Sequence, residues 1–396
     1  MNAHGRSLGV LILHVCALSH QNPSIVASHS VPPRGLRGSF LIHSPALQAM
    51  SNSHETPASH PLPSFQATYS LGPDSPLSMP AVGLGTFQVK EQAGYEAVKA
   101  AIKVRKFTGS ESAIRIVTWS ATRLGCKACA WRAVSRDAHP PPTPSQVGYT
   151  HIDTASVYRN EAAVGRAIRE SNVPRHELFL TTKLAPKDQG AGKAYASLCR
   201  SLSELGLDYV DLYLIHWPAA SGLKHDDPLN RIRRHESYVE LQQGVREGKI
   251  KNLGVSNFEI RHLTALLADP AVTYPPSVNQ VECHPLYPQI QLREYCRKHG
   301  ILIQAYSSLG QGKQDLLAHP VVTSTATKRG MTPAQVLLRW ALQQGIPVLP
   351  KTTNTMRMTE NLGALNKELQ NEDMHALNGL DESLYRKFAW DPCQVF

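Results

Sequence analysis

Eight short runs rich in β-branched residues alternate with amphipathic stretches from Tyr69 onward. The runs are 82–85, 150–153, 178–183, 211–216, 252–256, 277–282, 301–307 and 348–351. The helical stretches lie near 92–103, 159–171, 190–205, 236–247, 259–268, 289–299, 333–344 and 355–364. Repeated strand–helix units imply a parallel sheet, because each helix returns the chain to the edge where the next strand begins. Eight units in a row fit an α/β fold of the (β/α)8 TIM-barrel type better than an open doubly wound sheet. Several boundaries carry their own chemistry. Thr332 before Pro333 is an N-cap with proline in the first turn, and Gly206, Gly248, Gly300 and Gly345 stand where helices end in the left-handed conformation. The pair 67–71 and 77–79 predicts a β-hairpin closing the barrel floor.

Two segments depart from this rhythm. Residues 1–67 are rich in Ser, His and Pro, with Glu55 as the first acidic residue. They read as a disordered leader, with Met50 as the usual start; the apolar stretch Leu8–Leu18 also resembles a signal-peptide core or a transit peptide. The second is 104–146, which separates the first helix from the second strand and has no amphipathic period. Removing it joins Ala101-Ile102-Lys103 to Val147-Gly148-Tyr149-Thr150, an ordinary helix–turn–strand. It therefore reads as an unstructured insert of retained-intron type within a single 68–396 barrel. Lengthening such a turn costs about 3 kcal/mol of loop entropy, which a domain can bear. Its Cys126-x-x-Cys129 lacks partner ligands, so no metal is expected.

The net charge of +10 suggests an anionic partner until it is located. Most of the excess lies in the leader and in the insert, which holds Arg105, Lys106, Arg115, Arg123, Lys127, Arg132 and Arg136 against Glu111 and Asp137. What remains is ordinary for an enzyme, so neither nucleic acid nor a membrane surface is expected as a partner. Seven scattered cysteines and no Asn-x-Ser/Thr acceptor suggest a cytoplasmic protein with reduced thiols. No apolar run is long enough to span a bilayer.

Phosphate-binding signatures fail. Gly83-Leu-Gly85 has two of three Rossmann glycines and no following helix start, and Gly190-Ala-Gly192-Lys193 lacks both ends of a P-loop. The informative residues are polar groups at strand ends. Asp153 closes the second run, Tyr158 follows in its loop, Lys183 ends the third and His216 the fourth. Each has a bland reading: helix cap, rim residue, solvated strand end, core histidine. Together, in successive units of a barrel, they converge on one mouth.

These residues sit in Gly-Tyr-Thr-His-Ile-Asp153-Thr-Ala-Ser-Val-Tyr158-Arg-Asn-Glu, Thr-Thr-Lys183 and Tyr-Leu-Ile-His216-Trp-Pro. With Gly-Val-Ser256-Asn257-Phe, Val-Asn-Gln280-Val-Glu, Ala-Tyr306-Ser307 and Leu-Pro-Lys351-Thr-Thr, the chain resembles the aldo-keto reductase superfamily over about 70–396. It is most similar to its glyoxal/methylglyoxal reductase-like and prostaglandin F synthase-like branch. The resemblance implies that Tyr158 is the general acid for a carbonyl oxygen as hydride arrives from a nicotinamide. Lys183, kept charged by Asp153, would lower the phenol pKa, and His216 would orient the substrate. It also implies a nicotinamide clamp of Ser256, Asn257 and Gln280, a stacking face at Tyr306, and a strap through Ser307 and Leu309. Lys351, Thr352 and Arg357 would cradle a 2′-phosphate, with Glu360 and Asn361 at the adenine. Two cations and a hydroxyl suit NADPH over NADH.

Phe87 replaces a common Trp, and Ser308 a common Pro. Short loops imply an open pocket walled by Phe87, Trp217 and Trp390 beside His216, suited to small or varied aldehydes. The expected protein is a monomeric NADPH-dependent reductase of small carbonyl compounds. The alternatives are a ketone, prostaglandin or quinone reductase of the same family, a crystallin-like or regulatory nucleotide-binding protein, or a form made inert by the insert.

Overall fold

The computed structural model of the chain describes residues 68–71, 77–102 and 148–396. The expected leader, the 104–146 insert and Cys126-x-x-Cys129 lie outside the described residues. A two-stranded antiparallel hairpin, β1 (Thr68–Ser70) and β2 (Ser78–Pro80), comes first. Buried Met79 and Leu71 pack against Phe179, Leu212 and Val278, near the starts of three barrel strands. The hairpin thus closes the floor, as its sequence suggested.

The parallel sheet follows in chain order: β3 (Leu84–Gly85), β4 (His151–Asp153), β5 (Phe179–Leu184), β6 (Val210–Ile215), β7 (Ile250–Ser256), β8 (Val278–Glu282) and β9 (Leu302–Tyr306). Residues 348–351 supply the eighth stave. Val348 bridges both Val82 and Ala305, and Lys351 bridges Gly85, so the first and last strands are joined and the barrel closes. β5 and β6 are buried at every position, as expected of strands covered on both faces.

The helices are α1 (Glu91–Ala101), α2 (Glu161–Arg169), α3 (Ala194–Leu205), α4 (Leu229–Arg246), α5 (Ile260–Leu267), α6 (Ile290–Lys298), α7 (Gln314–Leu317), α8 (Pro320–Arg329), α9 (Pro333–Gln343), α10 (Thr355–Gly363), α11 (Asn371–Asn378) and α12 (Leu380–Ser383). α9 begins with a capping box: the Thr332 hydroxyl accepts from Gln335 N while the Gln335 side chain accepts from Thr332 N. Gly206, Gly248, Gly300 and Gly345 all have positive φ, as a helix stop requires. Two starts differ from expectation. α3 begins at Ala194 because Gly190 and Gly192 adopt positive φ, and α4 begins seven residues early, at Leu229. α7, α8, α11 and α12 were not foreseen.

Close helix packing depends on Gly165 in α2, where an added Cβ would overlap the Leu205 carbonyl of α3. On the floor side, Tyr149 N donates to Ala101 O at 2.9 Å. The described chain on either side of the insert is therefore joined by a backbone hydrogen bond.

Candidate active site

Parallel strands expose their C-terminal ends at one mouth, so Asp153, Lys183, His216, Ser256, Gln280 and Tyr306 arrive together. Lys183 is wholly buried. Its Nζ donates to Asp153 Oδ1 at 2.6 Å and to Thr154 O at 2.8 Å. A buried ammonium is costly unless paired, and these two acceptors offset that cost. Gln280 crosses from the opposite wall, and its Nε2 reaches Asp153 Oδ2 at 2.8 Å and Gln304 Oε1 at 2.8 Å. Both oxygens of Asp153 are thus occupied.

Tyr158 ends a 3-10 turn, Ser156–Tyr158, stopped by Arg159 in the left-handed region. The turn is pinned at both ends. Ser156 Oγ donates to Lys183 O at 2.9 Å, and Asn160 Nδ2 donates to Thr86 O and Val89 O while its Oδ1 accepts from Thr154 Oγ1 at 2.6 Å. The phenol ring is then enclosed by three neighbours. Lys183 Nζ lies 5.1 Å from its centroid, Phe87 stands edge-on at 5.2 Å and His216 edge-on at 5.6 Å. His216 Nδ1 is buried with no hydrogen-bond partner among the described residues.

The electrostatics differ from expectation in one respect. Burial pushes the Tyr158 phenol well above its ordinary value, and Asp153 and Tyr306 push the same way. The expected lowering of the phenol pKa by Lys183 is therefore not what sets its direction: burial raises it, and the Lys183 amine is turned toward Asp153. Burial also lowers Lys183, with Asp153 opposing that shift. His216 is held well below its usual range, first by burial and then by the Lys183 charge, so its imidazole is neutral.

The other expected residues follow on the later strands and at the start of α10. Asn257, at φ 63°, donates from Nδ2 to His216 O at 3.0 Å and to Ser256 Oγ at 3.0 Å, and its Oδ1 accepts from Tyr306 OH at 2.7 Å. Ser256 Oγ donates in turn to Gln280 O at 2.8 Å. Tyr306 and Leu309 are half-buried, and Ser307 between them has φ 51°. Lys351 and Arg357 are exposed at the start of α10, whose N-cap Asn354 accepts from Met356 N and Arg357 N. Thr352 is buried, and its hydroxyl accepts from Asn354 N at 3.1 Å. Glu360 accepts from Thr332 Oγ1 at 2.6 Å, and Asn361 is buried. Phe87 is half exposed, while Trp217 and Trp390 meet edge-on at 6.4 Å.

The aldo/keto reductase family profile matches residues 144–382 of this chain. Glycerol 2-dehydrogenase (NADP(+)) of Saccharomyces cerevisiae is 35% identical over 339 residues, 80% of this chain and 94% of its own length. Glyoxal reductase of Bacillus subtilis is 43% identical over 235 residues, 59% of this chain and 80% of its own. An aldo-keto reductase from a Medee basin deep-sea metagenome library superposes with a TM-score of 0.62 at 34% identity, covering 80% of this chain and 95% of that one. This chain belongs to the aldo-keto reductase family. It is an oxidoreductase of small carbonyl compounds that works with a nicotinamide nucleotide.

Four structural supports of this aldo-keto reductase site were missed in the sequence. Gln304 fixes Gln280, and Asn160 fixes the Tyr158 turn. Glu161 opens α2 and accepts from Thr182 Oγ1 at 2.6 Å and Ser201 Oγ at 3.2 Å, tying the helix to β5. Glu282, at the end of β8, holds residues 387–389. An acid at the end of a barrel strand was the available signal for Glu282, whereas Gln304 stands in the middle of β9 and carried none. Asn160 and Glu161 stood inside a quoted motif but carried no distinguishing spacing.

Proposed function

We propose that this aldo-keto reductase reduces aldehydes and some ketones to alcohols with NADPH. The observation that carries the reading is the cluster of Asp153, Lys183, Tyr158 and His216 at one barrel mouth. The chemistry of these residues fits the nucleotide. Exposed Lys351 and Arg357 at a helix start suit a phosphate dianion, and the half-buried Tyr306 ring suits a flat nicotinamide. NADPH supplies a hydride to the carbonyl carbon. Tyr158 releases its phenolic proton to the carbonyl oxygen, completing the alcohol. The buried Lys183 ammonium stabilises the phenolate left behind, and Asp153 keeps that amine charged and aimed. Neutral His216 donates a hydrogen bond that orients the carbonyl oxygen.

Ser256, Asn257 and Gln280 hold the carboxamide in this reading, Ser307 and Leu309 the pyrophosphate strap, and Thr352, Glu360 and Asn361 the adenosine end. Phe87 and Trp217 are the walls for small aldehydes such as methylglyoxal and for lipid-derived carbonyls. The protein acts as a cytoplasmic monomer, and its chemistry does not require residues 1–67 or 104–146. Oxidation of NADPH across a carbonyl panel, with the full chain and with 104–146 removed, tests the reading. Turnover of aldehydes by both supports it. Tight NADPH binding without turnover of any carbonyl would favour a binding role instead.

A further inference from the structure

The segment after α12 is pinned on both sides of one exposed ring. On one side stands Glu282, fully buried at the end of β8. Its Oε1 accepts from His284 Nε2 at 3.0 Å and Phe388 N at 2.7 Å; its Oε2 accepts from Lys387 Nζ at 2.9 Å and Ala389 N at 2.9 Å. Three of these four donors belong to residues 387–389. Arg386 N adds a bond to Leu286 O at 2.9 Å. On the other side, Arg261 donates to the carbonyls of Cys393 and Val395, and His262 Nε2 lies 2.8 Å from Val395 O. Between the anchors, Trp390 is 85% exposed and meets Trp217, the residue after His216.

The same carboxylate sits beside the cofactor platform, because Glu282 pairs with Tyr306 across the β8–β9 ladder. Tyr306 OH reaches Asn257, and Asn257 reaches His216 O. A closed circuit therefore runs from His216 through Trp217, Trp390, residues 387–389, Glu282, Tyr306 and Asn257 back to His216. An exposed indole is unfavourable in water unless something apolar covers it, and this one is held at the mouth by a buried charge.

Resting on the reductase reading above, we propose that Glu282 is a positioning residue for substrate. By gripping residues 387–389 it seats Trp390 against Trp217, and this aromatic pair receives the flat apolar body of a carbonyl compound larger than a short aliphatic aldehyde. Methylglyoxal has no ring to lay against the pair, so its handling depends far less on the grip.

The test is a double-mutant cycle in the full chain, using E282Q, W390A and both together, with 4-nitrobenzaldehyde and methylglyoxal as substrates. W390A is expected to raise KM for 4-nitrobenzaldehyde about tenfold with kcat within twofold, and to raise the KM for methylglyoxal by less than about twofold. E282Q is expected to do the same, and the double variant to be no worse than W390A. A general loss of structure would instead depress kcat for both aldehydes. Multiplicative effects in the double variant, or E282Q indistinguishable from wild type while W390A raises KM, would overturn the proposal. Should E282Q fail to fold, K387M replaces it in the same cycle.

A second arm needs no turnover. Trypsin cleavage after Lys387 is expected to be slow in wild type and at least tenfold faster in E282Q; equal rates would contradict the grip. Failure of wild type to reduce either aldehyde counts against the reductase reading and the substrate half of this proposal. The tryptic arm still decides the grip itself.

Discussion

Lys183 Nζ lies 2.6 Å from Asp153 Oδ1, both side chains buried at the ends of neighbouring barrel strands. The pair commits the amine to a fixed direction, below the Tyr158 ring and beside neutral His216. It also explains why the free phenol stays protonated: the Lys183 charge is balanced by Asp153, and burial dominates.

A pH dependence follows from those directions. The phenol donates only below its pKa, which is raised, and the imidazole is neutral above its pKa, which is lowered. Reductive kcat/KM is therefore expected to be flat from about pH 6 to about pH 9, because neither group titrates near its ordinary value. A pH–rate profile with a clear limb centred near the ordinary histidine value would contradict this.

In the proposed function the preference for NADPH rests on two exposed cations, Lys351 and Arg357. K351M and R357M are each expected to raise the Kd for NADPH about tenfold, a typical loss for one charge-assisted phosphate contact, with little effect on NADH. Fluorescence titration of each variant with both nucleotides measures it. Equal weakening for the two would remove the 2′-phosphate from the cradle.

The hydrogen bond from Tyr149 N to Ala101 O joins the described chain on both sides of the insert, as a short helix–strand turn would. Removing 104–146 is expected to leave carbonyl reduction within twofold and to raise stability by up to about 3 kcal/mol of recovered loop entropy. Thermal melting of the two forms reads the change. A deleted chain that no longer folds would show that the segment is integral.

Glu282 also shapes the acid limb of stability. Burial alone would raise its carboxyl, but the His284 hydrogen bond and Lys387 outweigh that and hold it at about 2. A depressed carboxylate stabilises the fold above its unfolded pKa, and that contribution disappears as pH falls through the folded value. Between about pH 5 and about pH 2, wild type is expected to lose about 3 kcal/mol more than E282Q. Urea unfolding at stepped pH measures the difference, and parallel curves would be the contrary result.

The barrel was legible because its strands are buried on both faces, which leaves short, mostly apolar runs such as Phe179–Leu184 and Val210–Ile215, broken only by the Thr pair, Lys183 and Asp211. The early start of α4 was hidden by Arg231, Arg233 and Arg234, which blur the apolar period. α8 was missed because Val321-Val322-Thr323 reads locally as strand, whereas packing of Val322, Thr325 and Ala326 selects helix. Asp153, Lys183 and His216 could be found because strand ends in a barrel share a mouth. The behaviour of the Tyr158 phenol could not, since it depends on burial. Nor could the grip of Glu282 on 387–389, whose partners stand far apart in the chain.

Proton donation by Tyr158 is tested most directly by Y158F, which removes one oxygen and keeps the ring against Phe87 and His216. Single-turnover reduction of methylglyoxal should fall about a thousandfold while NADPH binds as in wild type. Turnover within tenfold of wild type would show that the proton comes from elsewhere.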